Sequence, residues 1–141
     1  AELERQGVRK ILQGVAQRPG KPLWVGVGGR GNLVFALPGN PVSAYTCLHR
    51  YVLPALERAG GLKAHPGRLV ALASAFTFKP RLACLLPVRL ETGGDGVTRA
   101  VPGPVNTSGD LAGLVGTDGF VELPAEQSEF PAGTLTPFRA W

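Results

Sequence analysis

The stretch NLVFALPGNPVSAY, residues 32–45, combines an apolar strand, a Pro-Gly-Asn-Pro turn and a helix start. In α/β sheets ligands gather at such connections, because the first N–H groups of a helix are unpaired and the helix dipole is positive there. An oxyanion would be stabilised at this turn, and the Ser43 hydroxyl could add a hydrogen bond. The same residues also suit a plain structural turn in which Asn40 caps the helix. The residues alone leave both interpretations open.

A second stretch, QRPGKP, places two cations three residues apart across a Pro-Gly turn. Arg18 and Lys21 could converge on one tetrahedral oxyanion through charge-assisted hydrogen bonds. An ordinary solvated turn would have the same composition. The pattern therefore gives a candidate anion site without deciding between the two.

A third stretch, GPVNTSGDLAGLVGTDGF, gathers hydroxyl and amide side chains among glycines between two strand-like regions. Asn106, Thr107, Ser108 and Asp110 could offer hydroxyls and backbone N–H groups to a ligand. The loop is equally typical of an Asx or Ser/Thr turn that caps a short helix around residues 111–114, which is the favoured interpretation of this loop alone.

Several well-known chemical motifs are missing from the sequence. It has no phosphate-binding P-loop, no GxGxxG, no CxxC pair and no HExxH. His49 and His65 are too isolated to suggest a metal site, so no metal ligand is assigned, and the serines lack partners for a nucleophilic triad. His49 is expected to pack on its helix.

The N-terminal elements are predicted to be α/β. A helix tail ends near Gln6 and leads into an apolar segment over 11–16, an order typical of the middle of a βαβ unit. Two apolar runs, over 23–27 and 33–37, are separated by GGRGN, whose glycines suit a hairpin. This region is expected to extend to residue 61.

A helix is predicted to begin after Asn40, with Pro41 at its first position, and to stop at Gly60. Pro54 removes one backbone hydrogen bond and should bend this helix. Its apolar face is predicted to consist of Val42, Tyr45, His49, Val52 and Leu56.

From residue 62 the pattern changes to short strand-like runs separated by turns, namely RLVALASAFTF, LACLLPVRL, VTRAV, GFVEL and TLTPF. This region, 62–141, is predicted to be a small all-β domain, a barrel or sandwich. Few contacts are expected to cross between it and residues 1–61.

Composition excludes some classes of protein and leaves others open. The 20 glycines and 13 prolines among 141 residues argue against a helical bundle, and no apolar run is long enough to span a bilayer. A cytoplasmic protein is expected, with Cys47 and Cys84 as buried free thiols. The net charge of +5 permits anionic partners, but scattered basic residues and 7% aromatic content favour a local anion site over a nucleic-acid surface.

Taken in order, RPGKPLWVGV, VFALPGNPVSAY, VLPALERAGG and NTSGDLAGLVGTDGFVELP resemble the C-terminal part of the molybdopterin molybdenumtransferases, the family of bacterial MoeA and the gephyrin E domain. The resemblance covers residues 13–124. It implies that residues 1–61 are the closing part of a MogA-like α/β domain and that 62–141 are the family's C-terminal β-domain, domain IV. It also implies an enzyme that inserts molybdate into adenylylated molybdopterin with release of AMP, uses a divalent cation such as magnesium and forms an elongated homodimer.

The resemblance also implies functional residues. Lys21 and Ser43 correspond to catalytic positions. The positions that would bind substrate are Arg18, Pro22, Gly39, Asn40, Pro41 and Ser108. Arg18 stands where many members have lysine, and Ser108 matches the serine of a QGSG-type loop, written NTSG here.

Two departures from the family pattern limit what this chain is expected to do alone. Many members carry a basic residue on the second β-domain strand. The corresponding position of this sequence falls near Leu86, so that contact with the ligand is not expected here. The acidic GGVSxGDxD-type motif, which would precede residue 1, is absent. The chain begins with Ala1 and contains no Met, so it is expected to be an excised or truncated portion that does not turn over by itself.

Two other functions are compatible with the residues. One is a phosphate-, nucleotide- or RNA-binding module without catalysis, which would use the strand-turn-helix site and the basic surface. The other is a structural piece that contributes to dimerisation. A GGVS-type motif upstream of Ala1 would favour the enzyme.

Overall fold

The computed structural model describes residues 2–63, 67–103 and 111–141, which form a small α/β region followed by a closed five-stranded barrel. The helices are α1 (Glu2–Arg5), α2 (Pro41–Cys47), a π-helical segment (Leu48–Val52), α3 (Leu53–Ala59) and a 3-10 helix (Leu111–Leu114). The strands are β1 (Arg9–Gln13), β2 (Gln17–Arg18), β3 (Trp24–Val27), β4 (Leu33–Ala36), β5 (Arg68–Leu72), β6 (Phe76–Thr77), β7 (Ala83–Thr92), β8 (Thr98–Pro102), β9 (Gly119–Leu123), β10 (Glu129–Phe130) and β11 (Leu135–Ala140). The predicted order, α/β and then a small barrel, is confirmed.

The N-terminal sheet has the order β1-β3-β4, and each of its pairings is antiparallel. β3 and β4 form the predicted hairpin, closed by hydrogen bonds from Gly28 N to Asn32 O and from Gly31 N to Gly28 O. Gly31 has a φ of +80°, a conformation that glycine adopts without strain. The expected βαβ unit is not seen among the described strands, because short connections of this kind join antiparallel neighbours rather than parallel ones.

The helix begins where the sequence predicts, at the PGNP turn. The Asn40 side chain accepts a hydrogen bond from Ser43 N at 3.0 Å, and Pro41 occupies the first turn. At the other end Gly61 has a φ of +82°, and Leu62 N donates to Glu57 O, which closes the helix by the usual glycine-dependent motif.

Pro54 distorts the helix in the predicted region. The five residues before α3 are π-helical, and Leu53 N donates to Leu48 O, five residues back, instead of four. A proline at position 54 cannot donate a hydrogen bond to the Arg50 carbonyl, so the chain takes up one wider turn here. The predicted bend is therefore realised as a π-bulge.

The predicted apolar face of the helix is confirmed as buried only at Val42. Tyr45 and Leu56 are exposed, while α2 buries Val42, Ser43, Thr46 and Cys47. Of these, Cys47 packs in one apolar cluster with Leu23 and Val25.

The barrel closes because β7 is long enough to pair along both of its edges. The order is β7-β8-β5-β11-β9, and β9 pairs again with β7, with Cys84 opposite Leu123 and Val88 opposite Gly119. The predicted strand runs all appear as strands. The core consists of Val70, Leu72, Cys84, Leu86, Val88, Ala100, Val121, Leu123, Phe130 and Phe138.

More contacts cross between the two regions than the sequence analysis expects. β2 pairs in parallel with the start of β7, with Arg18 opposite Cys84, and Ala83 N donates to Ala16 O at 2.9 Å. Trp141, at the end of the chain, packs against the Tyr45 ring at 5.0 Å between ring centroids. The prediction of few crossing contacts is therefore wrong, whereas the boundary at residues 61 and 62 stays a prediction.

Both cysteines of the sequence, Cys47 and Cys84, are buried free thiols as predicted. None of the helices in the described ranges is long and apolar enough to cross a membrane.

Candidate functional site

The QRPGKP turn is tied together by backbone hydrogen bonds at its base. Val15 N donates to Lys21 O at 2.9 Å, and Leu23 N donates to Gly20 O at 3.3 Å. The Arg18 and Lys21 side chains, and Pro22 after them, are exposed. Among residues 2–63, 67–103 and 111–141, no carboxylate forms an ion pair with Arg18 or Lys21. Both cations are therefore available to an external anion.

The turn lies directly on helix α2, and Gly20 is the point of closest approach. A Cβ on Gly20 would lie 2.6 Å from Cys47 Sγ, and the Cys47 thiol is 3.8 Å from the Gly20 carbonyl oxygen that accepts from it. Gly20 also has a φ of +96°. Only glycine allows this combination of backbone conformation and contact, so the cation-bearing turn is held at a fixed distance from the helix.

The PGNP turn leaves less free hydrogen-bonding capacity than the sequence analysis expects. Asn40 takes up Ser43 N through its side chain and Ala44 N through its carbonyl, and Pro41 has no N–H. Within the described part of the chain, Val42 N is the remaining first-turn amide without a hydrogen-bond partner. The helix start is thus largely self-capped, and most of the charge for an anion has to come from side chains.

Ser43 lies on the face of α2 that contacts the QRPGKP turn. It precedes Cys47 by four residues, so the two side chains project from the same face, about 6 Å apart along the helix axis. Ser43 is 6% exposed. Its side chain is therefore sheltered from solvent.

The structure places the described site residues in two groups, and the turn contacts α2 at Cys47, the last residue of that helix. The first group lies on the turn and the second at the start of the helix: Arg18, Lys21 and Pro22, then Gly39, Asn40, Pro41 and Ser43. Ser108 lies outside the described residues. The 3-10 helix that follows its loop lies beside α2.

Burial changes the acidity of both thiols near this site. Burial raises the pKa of Cys47 to about 11, so this thiol keeps its proton at neutral pH and acts as a weak donor. Burial likewise raises the pKa of Cys84 to about 12, and the charge of Arg18 opposes this shift. Arg18 is therefore near enough to the start of β7 for its charge to act on Cys84.

Sequence reasoning missed the polar groups that support the turn. Gln17 is 4% exposed, donates from Nε2 to Pro19 O at 3.0 Å and accepts a hydrogen bond from the Tyr51 hydroxyl. The neighbouring Arg50 pairs with Glu122 of β9 at 2.9 Å. The sequence signal for this support was a glutamine directly before a basic Pro-Gly turn. A polar residue at such a position is ordinarily predicted to be exposed to solvent.

The position that corresponds to the missing family cation is buried. Leu86 is 1% exposed in the barrel core, among apolar side chains. An ammonium group there would lose its hydration without an acidic partner, which is why leucine fits and lysine would not. This position cannot supply a cation to the site.

The described part of the chain contains no group of three His, Cys, Asp or Glu side chains that could hold a metal ion. What this part of the chain offers is two exposed cations on a fixed turn and, at the start of α2, a sheltered hydroxyl and one free amide.

Comparisons with known proteins match both regions of the chain. Residues 1–58 match the family model described as a probable molybdopterin binding domain, and residues 70–140 match the MoeA C-terminal region, domain IV. A molybdopterin molybdenumtransferase from Synechocystis is 43% identical over 136 residues, covering 96% of this chain and 32% of that protein. The molybdenum cofactor synthesis protein cinnamon of Drosophila melanogaster is 32% identical, covering 85% of this chain and 21% of its own length.

The fold has the same relatives. The crystal structure of a molybdopterin biosynthesis MoeA protein from Pyrococcus horikoshii superposes with a TM-score of 0.77 and 33% identity, over 98% of this chain and 33% of that one. The chain spans about a third of the length of the curated relatives it matches. With its second half matched by the MoeA model and its fold shared with a MoeA structure along nearly its whole length, the chain belongs to the MoeA family of molybdopterin molybdenumtransferases.

Proposed function

We propose that this chain contributes the oxyanion-binding part of a molybdopterin molybdenumtransferase, the enzyme that inserts molybdate into adenylylated molybdopterin with release of AMP. The observation that carries the proposal is the QRPGKP turn. Its two cations, Arg18 and Lys21, have no ion-pair partner in the described ranges, and the turn rests on the helix that begins at PGNP. The names of the curated relatives support the choice of reaction.

In this proposal Lys21 and Arg18 neutralise the oxyanion, either molybdate or a phosphate group of the molybdopterin substrate. Charge-assisted hydrogen bonds from both cations would orient it, and Arg18 can engage two oxygens at once. Ser43 adds a hydroxyl from the buried face of α2. Gly39, Asn40, Pro41 and Pro22 shape the two turns around the ligand.

Further parts of the activity are assigned to the whole protein. The release of AMP, the use of magnesium, the loop serine Ser108 and assembly as a homodimer are proposals that depend on family membership. The described residues of this chain include no group of three His, Cys, Asp or Glu side chains that could hold a metal ion. Its own part in the reaction is to bind and orient an oxyanion.

Titration with molybdate, followed by NMR or calorimetry, tests the proposal. We expect a dissociation constant of about 1 mM, because two charge-assisted contacts in an open site leave roughly 4 kcal/mol after the cost of association. Lys21→Ala should weaken binding roughly tenfold or more, since one such contact contributes about 1.5–3 kcal/mol. Added salt should weaken the wild-type affinity as well.

The matched control is Lys79→Ala, which removes the same charge from an exposed lysine between β6 and β7. It should leave the molybdate affinity within about twofold of the wild type, because Lys79 lies outside the QRPGKP turn and is not expected to contact the anion. Equal affinities of the wild type and Lys21→Ala would contradict the proposed role of the turn.

A further inference from the structure

The carboxamide of Gln17 is buried, and both of its ends are used. Nε2 donates to Pro19 O at 3.0 Å, within the turn, and lies 3.8 Å from Cys47 Sγ on α2. Oε1 accepts a hydrogen bond from the hydroxyl of Tyr51, which lies in the π-helical segment. A carboxamide donates through its nitrogen and accepts through its oxygen, so these partners fix its orientation.

The two cations stand on either side of the point that this amide holds. Arg18 follows Gln17 directly, Lys21 comes four residues after it, and the accepting carbonyl of Pro19 lies between them. A Cβ on Gly20 would lie 2.7 Å from Gln17 Nε2, so the carboxamide fills the space between the turn and the helix. A shift of this side chain would therefore move the part of the backbone that carries both cations.

We infer that Gln17 is the positioning residue of the QRPGKP turn. Its contacts with Tyr51 and Cys47, together called the clamp, hold Arg18 and Lys21 in place for the ligand. The inference rests on the proposed function of the turn. Gln17 is 4% exposed and acts through the turn, without touching the anion. Long cationic side chains lose less freedom on binding when the backbone that carries them is already fixed.

The clamp continues beyond the turn into the barrel. The guanidinium carbon of Arg50 lies 5.3 Å from the centroid of the Tyr51 ring, and Arg50 Nε is 2.9 Å from a carboxylate oxygen of Glu122 on β9. Tyr51 is thereby held from two directions, by Gln17 and by Arg50. The position of the cationic turn is thus coupled to the barrel as well as to its own helix.

Two substitutions test the clamp at opposite ends. Gln17→Met keeps the length and volume of the side chain but removes its hydrogen bonds, and Tyr51→Phe removes the hydroxyl alone. The matched control is Thr46→Val, which removes a buried hydroxyl on the same helix that bonds only to Val42 O. Tyr51→Phe is the mildest change and retains the ring, so it keeps the test decisive if Gln17→Met does not fold.

The first measurement is amide hydrogen exchange at the base of the turn. Val15 N–H and Leu23 N–H bond to the carbonyls of Lys21 and Gly20, and they report whether the turn stays closed. We expect both clamp variants to exchange these amides at least fivefold faster than the wild type, relative to the barrel amide of Leu72. Thr46→Val should leave the ratio unchanged.

The second measurement is the affinity for molybdate. We expect Gln17→Met and Tyr51→Phe to weaken it about threefold to tenfold. In a Lys21→Ala background we expect Gln17→Met to cause a smaller loss, because one of the two cations through which it acts is already gone. Equal and additive losses in both backgrounds would overturn the inference. Unchanged exchange at Val15 and Leu23 in both clamp variants would overturn it too.

The two measurements separate this inference from the proposed function. If molybdate does not bind, or binds equally well to Lys21→Ala, the proposed function fails, and the exchange of Val15 and Leu23 still decides whether Gln17 holds the turn. If Lys21→Ala weakens binding while the clamp variants bind like the wild type, the proposed function stands and the positioning role of Gln17 is overturned.

Discussion

Gly119 lies in β9 where the strand is paired on both edges, opposite Val88 of β7 and opposite Ala140 of β11. A Cβ at this position would lie 2.0 Å from the backbone oxygen of Arg139 and 2.8 Å from the Phe138 ring. Gly119→Ala is therefore expected to destabilise the barrel strongly.

The magnitude follows from the overlap. The added carbon would be roughly 1.4 Å closer to the oxygen than the 3.4 Å at which ordinary contact begins. The obstacle is backbone, which cannot rotate away, so β9 and β11 must separate near Ala140. Overpacking costs about 1–3 kcal/mol, and each weakened ladder hydrogen bond adds about 0.5–1.5 kcal/mol. We expect the free energy of unfolding to fall by about 3 kcal/mol or more.

Urea unfolding followed by circular dichroism measures this loss. With a slope of about 1–3 kcal/mol per molar urea, the midpoint should fall by roughly 1 M or more. The control is Gly94→Ala in the loop between β7 and β8, where an added Cβ meets no atom within 4 Å, and it should change the stability by no more than about 0.5 kcal/mol. A Gly119→Ala midpoint equal to that of Gly94→Ala would refute the reasoning.

Two further predictions concern charges on the barrel. Glu122→Gln should lower the free energy of unfolding by about 1–2 kcal/mol, because the Glu122 carboxylate accepts from Arg50 at 2.9 Å and from an arginine of β11 at 2.7 Å. The control Glu91→Gln changes a more exposed pair and should cost less than about 0.5 kcal/mol in the same urea assay. Equal losses in the two variants would contradict this prediction. The hydrogen bond from Arg99 lowers the pKa of Asp95 to about 2. The stability that this pair contributes is therefore present above the unfolded pKa of about 3.9 and is lost as pH falls towards 2. In an NMR titration Arg99→Gln should raise the pKa of Asp95, and an unchanged value would contradict the pairing.

Much of the fold could be predicted because local signals and tertiary structure agree. Four features depend on residues close together in the chain: the GGRGN hairpin, the Asn40 cap, the helix end at Gly60 and Gly61, and the barrel strands. The parallel pairing of β2 could not be predicted, because the strand is two residues long and its partner lies more than 60 residues away. A Gln-Arg pair has no strand pattern of its own.

The candidate site was predictable in its residues more than in its chemistry. The exposed cations and the Asn40 cap were visible in the sequence, but the burial of the Ser43 side chain was not. The buried helix face was misassigned for a related reason. Polar residues such as Thr46 read as exposed, yet Thr46 satisfies its hydroxyl on the Val42 carbonyl and can be buried at little cost.

The short strand β2 has a consequence for any separation of the barrel from the residues before it. β8 covers one edge of β7 only from Val88 onward, and β2 covers the same edge at Ala83 and Cys84. Without β2, the Ala83 N–H, which donates to Ala16 O, would have no strand beside it. An unpaired sheet edge can pair with another copy of the chain. Gln17 and Arg18 of β2 therefore cover an edge through which the barrel could otherwise self-associate.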